Sequence, residues 1–179
     1  MKIPITKSYI KVFGLSLLTL IISCKKDIKI QSENILLQEW QGPYGGVPAF
    51  DKMNIKDVKT AVEKGIELNL ADIESIANST EAPTFENTIE AMERSGAELD
   101  RVFSYYGIMS SNVSSAEFRE IQSNLAPKLS VFSSNISQNK ALFNRIKTVY
   151  EASLINPLDS DKQRVLALTY NGFAMRGAE

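Results

Sequence analysis

Histidine is absent from all 179 residues of the sequence, and cysteine occurs once, as Cys24. Without an imidazole, the chain alone cannot build a Ser-His-Asp or Cys-His catalytic group, or an HExxH zinc site. A single thiol also excludes an intramolecular disulfide and a thiolate metal cluster. We therefore assign no catalytic, cofactor-binding or metal-ligating residue within this chain.

An excess of charge of one sign is also missing. The first 23 residues hold three lysines and no acid, so the rest of the chain carries 17 basic and 21 acidic side chains. A weakly acidic chain without a basic stripe is not typical of a nucleic-acid-binding protein. We expect no nucleic-acid partner.

The longest apolar run is short. It covers residues 12–22, and 11 residues are too few for a transmembrane helix, which needs about 20. Lys2, Lys7 and Lys11 precede this run. A basic region followed by a short apolar segment predicts an export signal over residues 1–23.

The only cysteine stands directly after this apolar run. Ile21-Ile22-Ser23-Cys24 resembles the lipobox of bacterial lipoproteins, which implies cleavage before Cys24 and acylation of that residue. Several acyl chains give stable membrane anchoring, where one gives only weak binding. Lys25 in the next position resembles an outer-membrane sorting context. These resemblances predict an exported bacterial lipoprotein on the periplasmic side of the outer membrane; a plain secretory signal with an incidental cysteine is the alternative.

Two short regions precede the helical part of the chain. Residues 24–38 are polar and mixed, and we interpret them as a tether. Residues 39–53 are rich in turn-forming and aromatic residues, including Trp40, Tyr44 and Phe50. The favoured interpretation is that these aromatic side chains anchor an irregular segment to the helices; a loop lining a substrate cleft is the alternative.

The remaining sequence predicts an all-α fold, because no strand-like alternation of useful length occurs. One amphipathic helix is predicted over residues 55–77 and a longer one over residues 83–108, capped by Thr84. The apolar stripe of the longer helix also includes Gly96, for which we predict close approach by the 55–77 helix. Its large members are Phe85, Ile89, Met92, Leu99, Val102, Phe103 and Tyr106.

Three further helices follow. Ser114 and Glu117 have the spacing of a capping box, a helix is predicted after Asn139, and Ser160 and Gln163 again have capping spacing. The predicted domain covers residues 54–179. We expect it to be incomplete at its C-terminus, because its fifth helix has little partner surface.

Three groups of side chains could suggest chemistry. Glu86, Glu90 and Glu93 share one side of a helix, as a metal site or an acid–base pair would require, but their spacing equally describes a solvated surface, which we favour. The acidic residues from position 159 do not complete a calcium loop, because its glycine and bidentate glutamate positions are occupied by Arg164 and Tyr170.

Adjacent tyrosines form the third group. Tyr106 belongs to the apolar stripe of the long helix, and we predict that it lies in the core. Tyr105 falls off that stripe, and the pattern leaves open whether it packs or faces a ligand.

One stretch carries a family resemblance. Pro83-Thr84-Phe85-Glu86-Asn87-Thr88-Ile89, followed by Glu93-Arg94-Ser95-Gly96 and Leu99-Asp100-Arg101-Val102, resembles the N-terminal signature of the thimet-oligopeptidase family of zinc metallopeptidases. Within that family it most resembles the bacterial peptidyl-dipeptidase Dcp group. The resemblance extends from about Trp40 to Val149. It implies the N-terminal helical lobe of an oligopeptidase-like fold, which forms a wall of the substrate channel.

The resemblance also implies a function for a longer protein. Family members bind zinc through HExxH and a downstream glutamate, and none of these motifs has a counterpart here. We therefore expect a lipid-anchored, monomeric zinc peptidase acting on short peptides, of which this chain is an inactive N-terminal part. The alternative is a complete, non-catalytic helical lipoprotein that binds a peptide or protein partner.

Overall fold

A computed structural model describes residues 34–43 and 46–178 of the chain. The signal predicted over residues 1–23, the predicted acylation site Cys24, most of the tether and Tyr44 lie outside the described residues. Within those residues the secondary structure is helical, apart from one isolated antiparallel bridge between Gln41 and Val47. The all-α prediction is confirmed.

The described elements begin with a single 3₁₀ turn, Ile35–Leu37, and continue as a series of helices joined by short connections. They are α1 (Asp57–Ala77), a π-helical segment (Phe85–Glu90), α2 (Ala91–Arg94), α3 (Ala97–Asn112), α4 (Ala116–Ser137), α5 (Lys140–Ile155) and α6 (Ser160–Ala174).

Helix α1 packs against several other elements of the fold: it contacts α3, α4, α5 and the π-helical segment. It packs tightly on α3 at Gly65, where an added Cβ would lie 2.9 Å from Cδ1 of Leu99. A side chain at this position would separate the two helix backbones. The predicted 55–77 helix is therefore confirmed, with its start at Asp57.

The single helix predicted over residues 83–108 is wrong, because the chain breaks at Ser95 and Gly96. Ser95 is extended (ψ 152°), and Gly96 adopts φ +77°, a left-handed conformation that glycine reaches without a steric penalty. Asn69 of α1 donates a hydrogen bond to Oγ of Ser95 (3.2 Å), and Asp72 accepts one from the Gly96 N–H (3.3 Å). Helix α1 thus approaches Gly96 as expected, but at a break between α2 and α3.

Two apolar clusters form the core. The first joins the 3₁₀ turn to the first half of α1, to α3 and to α4; its buried members are Leu36, Leu37, Val58, Ala61, Val62, Leu99, Val102, Tyr105, Met109, Phe118 and Leu125. The second joins the end of α1 to the π-helical segment, α5 and α6; its buried members are Ile73, Ala77, Phe85, Ile89, Leu142, Phe143, Ile146, Val149, Leu166, Phe173 and Ala178. Helix α1 contributes to both clusters.

Side-chain caps define where the helical segments begin. Oγ1 of Thr84 accepts from Asn87 N (3.1 Å), as predicted. Oδ1 of Asn139 accepts from Leu142 N (2.9 Å), at the start of the helix that was predicted only to follow this residue. The other two predicted caps are each one residue away from the true ones: Ser115 caps α4 in place of Ser114, and Asp159 caps α6 in place of Ser160. The neighbouring residues offer similar oxygen acceptors, and backbone geometry selects between them.

Candidate functional site

The surface beside the π-helical segment holds a groove of about 380 Å³. It lies between this segment, α2 and α6, and Glu90, Glu93 and Arg94 contribute its polar lining. The apolar lining consists of Phe85, Ile89 and Val165. The groove can therefore accept an apolar group beside charged ones.

Lys162 of α6 links this groove to the π-helical segment. Its Nζ lies 2.9 Å from Oε1 of Glu86 and 3.4 Å from Oε1 of Glu90, and 5.0 Å from the centre of the Phe85 ring. The hydrogen bond from Lys162 lowers the pKa of Glu86, and the same hydrogen bond raises the pKa of Lys162. Both groups therefore keep their charges over a wider pH range than they would in isolation.

The structure shows the environment of the three glutamates, Glu86, Glu90 and Glu93, that share one side of the predicted helix. Glu86 and Glu93 are exposed and Glu90 is half-buried, in keeping with the interpretation of a surface cluster. Glu90 also pairs with Arg94 (3.2 Å), four residues later in the chain. Because the carboxylates of Glu86 and Glu90 already form ion pairs with Lys162, their arrangement does not suit a metal ion.

Arg145 of α5 is a residue that sequence reasoning missed. It is buried, with 6% of its surface exposed, and its Nη1 donates to the carbonyl oxygens of Ser79 and Glu81, both at 3.0 Å. Its Nη2 donates to Oδ1 of Asn87, also at 3.0 Å. Arg145 therefore holds the connection between α1 and the π-helical segment.

Asn87 completes this network. Its Oδ1 accepts from the backbone N–H of Thr84 (2.8 Å), and its Nδ2 donates to the carbonyl oxygen of Ala82 (2.9 Å). The reciprocal bonds between Thr84 and Asn87 form a capping box. A Thr-x-x-Asn spacing is the signal in the sequence that could have identified it.

Trp40 and Phe50 of the 39–53 segment pack on α3. The ring centre of Tyr105 lies 6.5 Å from that of Trp40 and 5.1 Å from that of Phe50, and both pairs are edge-to-face. The Tyr105 hydroxyl accepts a hydrogen bond from the backbone N–H of Ala49 (2.8 Å). For Trp40 and Phe50, these contacts support the interpretation as anchors.

The two adjacent tyrosines occupy different environments. Tyr105, which the pattern left open, is 1% exposed and belongs to the first apolar cluster. Tyr106 is half-buried and packs at the edge of that cluster against Phe103 and Phe118, at 6.0 and 5.3 Å between ring centres. The structure therefore assigns a packing role to both side chains.

A second groove, of about 300 Å³, lies between α1 and α4. Its lining residues are Ile66, Leu70, Pro127, Lys128, Val131, Phe132 and Asn135. Lys128 at its edge forms an ion pair with Glu63 of α1. The groove is therefore a largely apolar depression with a salt bridge beside it.

Neither a metal centre nor a membrane span is found in the part of the chain that the structure describes. Over residues 34–43 and 46–178, no three His, Cys, Asp or Glu side chains come close enough together to hold a metal ion. No helix in these ranges is long and apolar enough to cross a bilayer. Because the whole sequence also lacks histidine, its residues do not fit a peptidase zinc ion.

Comparison with known proteins yields one family and similar relatives. Residues 58–178 match the family model of the neurolysin/thimet oligopeptidase N-terminal domain. The chain is 31% identical over 148 residues to a dipeptidyl carboxypeptidase of Salmonella typhimurium, covering 83% of this chain and 22% of that protein. It is 29% identical over 132 residues to a dipeptidyl carboxypeptidase of Escherichia coli, covering 74% of this chain and 19% of that protein. The chain therefore spans about a fifth of these relatives' length.

Proposed function

This chain belongs to the neurolysin/thimet oligopeptidase family, and we propose that it is the N-terminal helical part of a zinc peptidase that hydrolyses short peptides. In that protein the helices form a wall of the substrate channel, and the catalytic zinc is bound by residues outside this stretch. The protein is exported and held at the outer membrane through acyl groups on Cys24. The observation that carries the proposal is the family match over residues 58–178, which runs from α1 to the end of α6.

The residues of the chain agree with the proposal that the zinc ligands lie outside this stretch. Peptide hydrolysis by a zinc enzyme needs a metal that polarises the carbonyl group and activates water, together with a carboxylate base. This chain has carboxylates but no histidine, and Glu86 and Glu90 are engaged by Lys162. Its contribution to the reaction is accordingly to bind and orient the peptide and to exclude water.

The peptidase proposal is tested by comparing two lengths of the protein. The reading frame downstream of residue 179 is sequenced, and the 179-residue chain and the longer product are each assayed for zinc content and for cleavage of a short peptide library. We expect an HExxH motif, stoichiometric zinc and chelator-sensitive cleavage in the longer product alone. Zinc-dependent cleavage by the 179-residue chain, or a longer product that lacks both zinc and activity, would contradict the proposal.

The anchoring proposal has its own test. It rests on the lysines before residue 12, the short apolar run and the position of Cys24 directly after it. In a bacterial host, the wild-type protein should fractionate with the outer membrane and carry an acylated N-terminal cysteine, whereas Cys24→Ser should remain unprocessed or become soluble. A soluble wild-type protein whose mature N-terminus lies elsewhere would refute acylation.

A further inference from the structure

Helix α6 is apolar on two sides. Leu166 and Phe173 face the second apolar cluster, where they are 0% and 9% exposed. On another side, Val165, Leu168 and Gly172 are followed by Met175, the C-cap residue, which keeps a helical backbone conformation. These residues follow one another at steps of three, four and three, which places them in one row along the helix. We call this row the outer face of α6. A helix that is apolar on opposite sides is typical of an interior position.

The outer face of α6 is uncovered in this structure. Leu168 is 64% exposed, Met175 is 82% exposed and Val165 is 39% exposed. Single exposed apolar residues are normal on protein surfaces, whereas a continuous row of them indicates an interaction site. Five of the ten exposed large apolar side chains of the described residues lie between Leu154 and Met175.

Two structural features make this face suitable for a helix. Val165 also lines the 380 Å³ groove beside Phe85 and Ile89, so the row begins in an existing depression. Apart from its chain neighbours and the backbone of its own helix, no atom lies within 4 Å of the position that a Cβ on Gly172 would occupy, which leaves room for another backbone to approach. A groove that continues into a row of apolar side chains fits the apolar stripe of an amphipathic helix.

We propose that the outer face of α6 docks an amphipathic helix from the remainder of the full-length peptidase. This inference rests on the proposed function. The matched relatives are long enough to supply such a helix, because this chain covers only 22% and 19% of their lengths. Docking places α6 between two layers: the second apolar cluster on one side and the remainder of the protein on the other.

The proposal is tested by hydroxyl-radical footprinting, read for each peptide by mass spectrometry. The 179-residue chain and the product of the longer reading frame are labelled in parallel. Labelling of Leu168 and Met175 should fall about fivefold in the longer product, since interface cores pack as densely as protein interiors. Ile108 of α3 and Val113 after α3 are 47% and 54% exposed and serve as controls whose labelling should not change.

A substitution provides a second measurement. Leu168→Glu should leave the melting temperature of the 179-residue chain unchanged and lower that of the longer product, whereas the matched Ile108→Glu should lower neither selectively. Equal labelling of Leu168 and Met175 in both proteins would overturn the proposal, as would a reading frame that ends at Glu179. Concentration-dependent dimerisation of the 179-residue chain that Leu168→Glu abolishes would also overturn it, because the occupant would then be a second copy.

The outcomes separate this inference from the proposed function. A longer product that cleaves peptides while its α6 remains fully labelled rejects the docking face and retains the peptidase. A longer product in which Leu168 and Met175 are protected from labelling, but which neither binds zinc nor cleaves peptides, supports the docking face and rejects the peptidase proposal.

Discussion

Gly96 and Asn69 approach so closely that a Cβ on Gly96 would lie 2.3 Å from Nδ2 of Asn69. The contact joins the break between α2 and α3 to the middle of α1. Asn69 is 7% exposed, and its amide also donates to Oγ of Ser95. A side chain at position 96 is therefore disfavoured for two reasons: the left-handed backbone conformation and the steric clash with the Asn69 amide.

Substitution of Gly96 should destabilise the fold. We expect Gly96→Ala to cost about 2–4 kcal/mol, from roughly 1–2 for a left-handed non-glycine residue and the remainder from overpacking against Asn69. Gly107 is the matched control, because it is exposed within α3 and its Cβ would meet no atom within 4 Å. Gly107→Ala should stabilise the protein by about 0.5–1 kcal/mol.

Denaturant unfolding of both variants measures these effects, and a double-mutant cycle with Asn69→Ala isolates the contact. If overpacking contributes, Gly96→Ala should cost less in the Asn69→Ala background than in the wild type. A neutral or stabilising Gly96→Ala would show that the site is open and that the break between α2 and α3 is misplaced.

Removal of the Arg145 guanidinium should weaken the connection between α1 and the π-helical segment. Arg145→Met leaves two carbonyl oxygens and the Asn87 side chain without their buried donor, at a cost of about 2–4 kcal/mol. Arg145→Lys should recover only part of this, since one ammonium group cannot span all three acceptors. Unfolding free energies measure both effects. The control is Arg164→Met, at an exposed position, for which we expect a change in unfolding free energy within about 0.5 kcal/mol. An Arg145→Met protein as stable as this control would be evidence against the network.

The Tyr105 hydroxyl should hold the segment before α1 in place. Tyr105→Phe leaves the Ala49 N–H without its acceptor while keeping the ring contacts to Trp40 and Phe50, so we expect a loss of about 1 kcal/mol. Amide exchange at Ala49 should accelerate. Tyr106→Phe, at the half-buried neighbour, should leave that amide unchanged. Equal protection of Ala49 in wild type and Tyr105→Phe would rule out the bond.

The Lys162 contacts predict a dependence of stability on pH. The pKa of Glu86 is lowered from its ordinary value of 4.5, so its contribution is present above that pH and is lost as the pH falls through the lowered pKa. The pKa of Lys162 is raised from 10.5, so its contribution is present below that pH and is lost as the pH rises through the raised pKa. The stability difference between wild type and Lys162→Met should therefore be largest between these two values.

Urea midpoints measured across this pH range test the prediction. The difference should also shrink as salt is added, because both partners are near solvent. Lys147→Met, at an exposed position of α5, is the control. A difference that stays constant from acidic to strongly alkaline pH would mean that Lys162 stabilises only through packing on the Phe85 ring.

Much of the fold was predictable because local patterns specify it. Residues 55–77 show an apolar period of three and four, and the structure has α1 there; the oxygen of Thr84 was identified as a cap from sequence and accepts the expected bond. The break at Gly96 was not predictable in this way. Glycine fits the spacing between Met92 and Leu99, so the row reads as one continuous helix.

The candidate site was less predictable than the fold. Lys162 lies 76 residues from Glu86 in the sequence, and Arg145 lies 58 residues from Asn87. No local period relates residues so far apart, so their pairing follows only from the way α5 and α6 pack on the π-helical segment. The open question about Tyr105 was decided similarly, because the hydrogen bond with Ala49 crosses 56 residues.

The sequence by itself determined the helical class, the place of α1 and the absence of any imidazole ligand. Helical class follows from local periodicity, and a residue type that is missing from a chain is missing in every conformation. Only the tertiary structure decided where the long helix breaks, which cations bind Glu86 and Asn87, and that α6 has an uncovered apolar face. Each of these depends on which distant surfaces meet, and that is set by the packing of whole helices.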